Sequence, residues 1–333
     1  MPSVFLDGQF ISRDQARVSA FDAGFQHGVG LFETLLALRE DDDVHILHLQ
    51  EHVERLRVSA AALGLSESLR AGALEEAVRR CAEHAAKEHP AAQRLRLRLT
   101  ITGGDLNMLA GTGQSSHSPT LMIVGQPATE YPAEMFARGT LATLADLRPS
   151  PLDPMQGHKT LNYWGRLREL QIAAAKGAGE ALVFSVTNHL VGGCVSNAFV
   201  VRDGTLLTPI ARGEEEEVAR GDSPDLDAAP EQTRGAVLPS PVLPGVVRRW
   251  VLDWALAAGI PTRRRMLELD DLLTSDEVFL TNSSWGVLPV VRLEAEMIGP
   301  GQPGSISTNL IKAWRELTHQ ANDENGFGSG AAG

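Results

Sequence analysis

Residues 157–200 constrain the fold more than any other stretch of this 333-residue chain. Lys159 lies between a proline-rich loop and a segment whose apolar residues recur at helical spacing, and Gly177 ends that predicted helix. Apolar runs then flank turns at Asn188 and at Asp203-Gly204, which is typical of paired strands. The pattern therefore predicts a lysine just before a helix that leads into a β-hairpin.

Charge and size narrow the range of partners. A net charge of -12 and a pI of about 5.3 argue against a protein that binds nucleic-acid phosphates or an anionic membrane surface. We therefore expect a small-molecule partner, no nucleic acid and no membrane. The length and the hydrophobic content of 43% allow two moderate cores, and we predict two domains.

The compartment is predicted from the cysteines and the N-terminus. Cys81 and Cys194 lie far apart in sequence, form no disulfide framework and suit a reducing cytoplasm. Asp7, Arg13 and Asp14 come too early for the apolar region of a signal peptide, and no run approaches transmembrane length. We expect a cytoplasmic protein.

The N-terminal part predicts a sheet. Asp7-Gly8 is a hairpin signal, and a glycine-rich turn leads into an apolar strand over residues 31–38. Residues 94–102 alternate strictly, with leucines on one face and arginines on the other, which predicts a strand with one polar face. An alanine-rich stretch over residues 69–88 predicts a packing helix.

Three histidines, His45, His48 and His52, lie close together and raise the question of a metal site. His48 and His52 could share a helix face, but no carboxylate or cysteine completes a preferred ligand set. The pattern favours a solvated helix face, and we predict no metal.

Four motifs together resemble the class-IV aminotransferases, which are fold-type IV enzymes that use pyridoxal 5'-phosphate (PLP). They are D-x-G-F-x-x-G-x-G-x-F-E-T at 22–34, K-T-L-N-Y at 159–163, S-N-A-F-V-V-R-D-G at 196–204 and L-P-G-x-x-R at 243–248. The resemblance implies an α/β fold with a smaller N-terminal α/β domain, a larger C-terminal barrel-like α/β domain, and PLP at their junction. It also implies a homodimer.

The resemblance implies roles for several residues. Lys159 matches the lysine that binds PLP covalently and then moves the substrate proton. Arg55, in H-V-E-R-L, resembles the arginine that grips the PLP phosphate, although a surface arginine paired with Glu51 is the alternative. Tyr163 resembles a tyrosine that some members place against the phenolic oxygen of PLP.

Further contacts are implied near the C-terminal end of the chain and in the alternating strand. The backbone N–H groups of Val246 and Val247 would point at the phosphate, and Ser283 would contact it through its hydroxyl. Arg98 and Ser284 resemble residues that face the substrate.

We place a small domain at residues 1–130 and a larger PLP-binding domain at 131–321. An acidic segment at 211–242, rich in Pro, Gly and Asp, is predicted to be a mobile insertion, and 322–333 a disordered tail.

Three segments look most like those of 4-amino-4-deoxychorismate lyases, which release pyruvate and 4-aminobenzoate in folate synthesis. They are F-E-T-L-L-A-L at 32–38, K-T-L-N-Y at 159–163 and especially T-N-S-S-W-G-V-L-P-V at 281–290. The alternative is a branched-chain or D-amino-acid aminotransferase, although Gly103 replaces an arginine that D-amino-acid aminotransferases use for the substrate carboxylate. A third possibility, of another class, is a catalytically impaired protein that binds PLP or a metabolite. It stays open because Gly192 stands where the family has an acid that pairs with the PLP ring nitrogen.

Overall fold

The fold is seen in a computed structural model that describes residues 3–40, 43–105, 119–220 and 238–318. It is a mixed α/β architecture built on two sheets, as predicted. Among these residues, no helix is both long and apolar enough to cross a bilayer.

The first sheet has six strands in the order β2-β1-β6-β5-β3-β4, and every neighbouring pair is antiparallel. Its strands are β1 (Ser3–Leu6), β2 (Gln9–Ser12), β3 (Gly30–Glu40), β4 (Asp43–Ile46), β5 (Arg94–Thr102) and β6 (Leu121–Pro127). The predicted Asp7-Gly8 hairpin is confirmed, with both residues at positive φ between β1 and β2. The alternating segment is confirmed as β5.

Helices cover one face of this sheet. Two helices pack there, α2 (Leu49–Ala62) and α3 (Ala71–Glu88), and α3 confirms the predicted packing helix. The short helix α1 (Ala23–His27) precedes β3 in the chain. Leu95, Leu97 and Leu99 of β5 are buried in the core that α2 and α3 share with the sheet.

The opposite face of the first sheet carries the β5 arginines. Leu36 pairs directly with Arg96 across the β3–β5 ladder, so the two residues share this face. Leu36 packs in a cluster that includes Val247 and Trp314 from the second half of the chain. The arginine face is therefore half-buried and turned toward the second sheet.

The second sheet is mixed and has nine strands, in the order β12-β11-β10-β13-β14-β7-β8-β9 with β15 paired to β14. The strands are β7 (Thr140–Leu144), β8 (Glu180–Phe184), β9 (Leu190–Gly193), β10 (Asn197–Arg202), β11 (Thr205–Thr208), β12 (Thr262–Arg264), β13 (Glu277–Asn282), β14 (Gly286–Leu293) and β15 (Glu296–Met297). Helices α4 (Ala133–Arg138), α5 (Trp164–Ala175), α6 (Glu215–Arg220), α7 (Val246–Ala257), α8 (Leu269–Leu273) and α9 (Ser305–Leu317) complete this half.

The acidic segment 211–242 is described only at its two ends, and both ends make definite contacts. Glu214 binds the buried Arg248 guanidinium at 2.7 and 2.8 Å, and Glu217 pairs with Arg264 at 2.9 Å. Residues 221–237 of this segment and the predicted disordered tail, 322–333, lie outside the described residues.

Candidate active site

Lys159 lies where the segment before α5 crosses β3 of the first sheet. Its carbonyl accepts the Phe32 N–H at 3.0 Å, and the Leu161 N–H donates to the Gly30 carbonyl at 2.9 Å. Gly30 has a φ of 157°, and a Cβ there would lie 2.7 Å from a Leu161 methyl group. Glycine at position 30 therefore lets the lysine segment lie directly on the sheet.

The Lys159 amine lies among aromatic rings and cations. Its Nζ is 4.2 Å from the centroid of the Phe32 ring and 5.3 Å from that of Tyr163. Burial lowers the pKa of this amine from 10.5 to about 7; Glu33 opposes the change, whereas Arg55 and other nearby guanidinium groups add to it. A large fraction of the amine is therefore neutral, and nucleophilic, near pH 7.

Glu33 on β3 is the buried anion of the site. Arg55 on α2 donates to it from Nε at 2.8 Å and from Nη2 at 2.5 Å, and His52 Nδ1 lies 2.7 Å from Oε2. Burial alone would raise the pKa of the Glu33 carboxyl, but the Arg55 charge and the His52 hydrogen bond outweigh burial and hold this pKa at about 2. Glu33 is therefore ionised at any physiological pH.

These contacts correct one expectation about α2 and exclude one alternative. His52 does not lie on a solvated face, because it is buried on the same stripe as Leu49, Val53 and Leu56 and is bonded to Glu33. Arg55 pairs with Glu33 rather than Glu51, and its remaining Nη1 group donates to the Pro244 carbonyl at 3.0 Å.

The predicted anion site at the start of α7 has an open helix end. Gly245 is the N-cap residue, no side chain caps the helix, and Val246 and Val247 are buried. Asn197 Nδ2 donates to the Leu243 carbonyl at 2.8 Å, so β10 holds the same loop that Arg55 holds through Pro244. A Cβ at position 245 would overlap the Asn197 side chain, so this close approach requires glycine.

The hydroxyl-rich turn between β13 and β14 brings Ser283 to α2. The Asn282 side chain accepts the N–H groups of Ser284 and Trp285 at 2.9 and 3.0 Å, which fixes the turn. Ser283 Oγ lies 3.3 Å from His52 Nε2. Ser283 and Ser284 also line a small cavity with Arg96 of the first sheet.

These groups fit PLP. The lysine whose pKa is lowered suits an aldehyde, while the Arg55 cation, the uncapped α7 N-terminus and the Ser283 hydroxyl suit a phosphate. Arg55 and Ser283 are joined through Glu33 and His52, and Arg55 and the α7 N-terminus through Pro244. The structure thus brings together the residues that the sequence predicted for the phosphate.

Tyr163 packs edge-on against Phe32, with ring centroids 5.2 Å apart, and its hydroxyl donates to the Cys194 carbonyl at 3.1 Å. Arg166, one turn further along, donates to the Gly193 carbonyl at 3.2 Å. Sequence reasoning missed Arg166, although its i, i+3 spacing from Tyr163 places both residues on one helix face.

Arg98 stacks its guanidinium on the Phe32 ring, 3.8 Å from the centroid. Burial lowers the pKa of Arg98, the nearby Arg96 lowers it further, and Tyr163 raises it. Within the described part of the chain, neither Arg98 nor Arg166 pairs with a carboxylate. Both cations act on the Lys159 amine, so both lie within electrostatic reach of it.

Gly192 lies in β9, just before the turn at residues 194–196, where a side chain would be strained. Its φ is 142°, and a Cβ there would lie 2.7 Å from the Ser196 carbonyl oxygen. An acid from the neighbouring strand occupies the turn instead. The fully buried Glu180 carboxylate accepts the N–H groups of Cys194 and Val195 at 3.1 and 3.2 Å and the Ser196 hydroxyl at 3.0 Å. The sequence argument looked for an acid only within residues 191–197. It therefore missed Glu180, which lies on β8 and accepts these hydrogen bonds.

The chain is similar to known proteins along most of its length. The family described as amino-transferase class IV matches residues 30–215 and 233–293, so the break in the match falls within the acidic segment. A putative branched-chain-amino-acid aminotransferase of Methanocaldococcus jannaschii is 27% identical over 94% of this chain and 96% of its own length. A D-alanine aminotransferase of Staphylococcus epidermidis is 25% identical over 95% of this chain and 98% of its own length.

Solved structures share the fold. The branched-chain amino acid aminotransferase of Escherichia coli superimposes with a TM-score of 0.78 at 22% identity, and 98% of each chain is covered. The 4-amino-4-deoxychorismate lyase of Pseudomonas aeruginosa gives a TM-score of 0.71 at 26% identity, covering 94% of this chain and 98% of that one. The resemblance noted in the sequence is confirmed: the chain belongs to the class-IV aminotransferase family of PLP-dependent enzymes.

Proposed function

We propose that this enzyme is a lyase of the 4-amino-4-deoxychorismate type, which releases pyruvate and forms 4-aminobenzoate for folate synthesis. The observation that carries the proposal is the pair of guanidinium groups, Arg98 and Arg166, near Lys159. Neither has a carboxylate partner among the described residues, and both are half-buried. The substrate of such a lyase carries two carboxylates, one on the ring and one on the enolpyruvyl group, so each guanidinium has a partner of matching charge.

In this proposal, different residues move the substrate proton and bind the cofactor phosphate. Lys159 binds the cofactor, and its amine, with a pKa of about 7, takes a proton from the carbon that bears the substrate amine and returns it. Arg55, Ser283 and the N–H groups of Val246 and Val247 hold the phosphate. When bound, PLP supplies an electron sink for the carbon that loses its proton.

Two residues are proposed to hold the remaining parts of the cofactor and substrate. Tyr163 lies beside Lys159 and orients the cofactor ring. Ser284, next to Ser283 on the same turn, binds a substrate carboxylate together with Arg98.

The surroundings of Gly192 favour a lyase over an aminotransferase. The four donors around Glu180 already occupy its carboxylate, and Gly192 cannot hold an acid in this backbone conformation. A weaker electron sink slows the repeated proton transfers of transamination. Loss of pyruvate tolerates it better, because an aromatic ring forms in that step. The aminotransferase alternative is supported by the names of the curated relatives.

A substrate panel on PLP-loaded enzyme tests the proposal. Pyruvate release from 4-amino-4-deoxychorismate is followed beside keto-acid formation from L-branched-chain and D-amino acids. We expect pyruvate release to exceed transamination in kcat/KM by at least about 100-fold, which corresponds to about 2.7 kcal/mol. We also expect Arg166→Gln to raise KM for the dicarboxylate more than KM for a monocarboxylic amino acid. Faster transamination than pyruvate release would overturn the lyase proposal.

We also propose a cytoplasmic homodimer. Phe25 of α1 and Trp164 at the start of α5 are 75% and 66% exposed, and the adjoining Gly28 and Asn162 lie against each other. Large apolar side chains exposed on adjoining segments are typical of an interface between protein chains. Both cysteines are buried and unpaired, in keeping with a reducing compartment. Light scattering of the active enzyme should give the mass of two chains, and a monomer mass would exclude the dimer.

A further inference from the structure

A chain of hydrogen bonds links three buried or half-buried residues from three elements, and the proposed reaction does not use it. Glu33 Oε2 on β3 lies 2.7 Å from His52 Nδ1 on α2, and His52 Nε2 lies 3.3 Å from Ser283 Oγ on the β13–β14 turn. We call Glu33, His52 and Ser283 the relay. It ends on the hydroxyl that is proposed to meet the phosphate.

The proton positions along the relay follow from its charges. Arg55 donates two hydrogen bonds to the Glu33 carboxylate, which is therefore ionised and can only accept. The ring proton of a neutral His52 must consequently lie on Nδ1, which leaves a lone pair on Nε2. That lone pair accepts the Ser283 hydroxyl hydrogen, so Ser283 then directs only oxygen lone pairs elsewhere.

A bound phosphate ester changes what Ser283 has to do. A phosphate dianion only accepts hydrogen bonds, so Ser283 must turn its hydrogen toward it. The lone pair on His52 Nε2 then faces the oxygen lone pairs of Ser283, an unfavourable contact in a buried place. A proton added at Nε2 removes this conflict, because Nε2 then donates to Ser283 while Ser283 donates to the phosphate.

The groups that surround His52 come from three places among the described residues. Glu33 acts on it from β3, Arg55 from α2 and His48 from the N-cap position of that helix, while the neutral Ser283 contacts it from the β13–β14 turn. Burial lowers the pKa of His52 below 6.5, Glu33 raises it, and Arg55 and His48 lower it again. His52 is therefore neutral at pH 8 without a ligand, and an added dianion shifts the balance toward the imidazolium ion.

We propose that His52 is a positioning residue that takes up one proton at Nε2 from solvent when a phosphate ester binds beside Ser283, so that cofactor binding is linked to proton uptake. The proposal rests on the proposed cofactor site. The affinity for the phosphate ester should therefore fall as pH rises, by at most tenfold per pH unit. This follows because all hydrogen-bonding groups of the relay and the phosphate are satisfied only when His52 is protonated.

Calorimetry of pyridoxine 5'-phosphate binding at pH 8 tests the proposal. This probe has no aldehyde and cannot react with an amine. The Lys159→Met background removes the other nearby group that could take up a proton. Titrations in buffers that differ in heat of ionisation give the number of protons taken up per ligand bound.

We expect Lys159→Met to take up as much as one proton more per ligand bound than Lys159→Met/His52→Gln does. The reason is that the glutamine amide donates to Ser283 without taking up a proton. His48→Gln, at the N-cap position just before α2, serves as the matched control and should keep the extra proton. Ser283→Ala is a second variant that removes the hydroxyl, and it should lose the extra proton as well.

Equal proton uptake in the parent and in both relay variants would overturn the proposal. A failure of pyridoxine 5'-phosphate to bind any of the proteins is a distinct result. It would overturn the proposed phosphate site itself, and with it the relay.

Discussion

The guanidinium of Arg55 holds the carboxylate of Glu33 with two hydrogen bonds, of 2.8 and 2.5 Å. Glu33 is 1% exposed, so its charge depends on these donors and on His52. Arg55 is therefore the structural partner of the buried Glu33 carboxylate as well as a candidate phosphate ligand.

This pair predicts that Arg55→Ala destabilises the protein even without cofactor. Removing one partner of a buried ion pair costs about 3 to 5 kcal/mol, because the other charge is left uncompensated. Arg57→Ala, on the exposed side of the same helix, breaks only a surface pair with Glu54 and should leave the free energy of unfolding almost unchanged. Urea unfolding of the cofactor-free proteins measures both. Equal stability of Arg55→Ala and the parent would contradict the buried pair.

Lys159 predicts a pH dependence of folding stability. In the unfolded chain its pKa is about 10.4, whereas in the fold it is about 7. Between these values the unfolded chain binds more protons, so the free energy of unfolding rises with pH, by at most about 1.4 kcal/mol per unit. The cost of burying Lys159 is complete below pH 7 and disappears as pH approaches 10.

The measurement compares cofactor-free parent and Lys159→Met by urea unfolding at pH 7, 8.5 and 9.5. We expect any stability advantage of Lys159→Met to shrink as pH rises, since methionine does not titrate. A difference that stays constant across this range would show that the amine keeps an ordinary pKa in the fold.

We expect substitution of Gly192 to destabilise the fold rather than to raise activity. The sequence alone suggests that Gly192→Glu would restore an acid to the ring nitrogen and raise transamination. With a φ of 142° and the Ser196 oxygen 2.7 Å from an added Cβ, we instead expect strain. Gly192→Ala should cost about 1 to 3 kcal/mol more than Gly177→Ala, which also has a positive φ but meets no atom within 4 Å. Thermal unfolding measures the difference between the two variants. Equal costs would contradict the expected strain at position 192, and Gly192→Glu could then raise transamination as the sequence suggests.

The contacts of Glu214 indicate how much of the acidic segment can be replaced without loss of stability. Its composition suggests that residues 221–237 can be replaced by a short Gly/Ser linker with stability and PLP binding retained. Glu214→Gln should cost about 3 to 5 kcal/mol, because Arg248 is 2% exposed and loses its carboxylate. Denaturation curves of the two variants test the boundary. A stable Glu214→Gln, or an unstable linker variant, would place it elsewhere.

The elements of the fold were predictable where the signal is local. The Asp7-Gly8 turn, the alternation of β5 and the helix α3 each follow from a few neighbouring residues. The contacts of the site are not local: Glu33 and Arg55 are 22 positions apart, and Ser283 is 231 positions from His52. Periodicity gives the face of α2 but not the strand that packs against it.

One missed contact did have a sequence signal. His52 falls on the same stripe as Leu49, Val53 and Leu56, which marks it as a buried histidine in need of a partner. Glu180 had no such signal, because its strand reads simply as an apolar run. Its role depends on how β9 and the turn after it fold back over β8.

The most direct test of the account is the position at which the cofactor is attached. The PLP-loaded protein is reduced with borohydride, digested and mapped by mass spectrometry, with Lys159→Met as the control. We predict that the pyridoxyl group lies on Lys159 and that the control carries no stoichiometric label. A stoichiometric label on another lysine, in the parent or in the control, would contradict the site described for this enzyme.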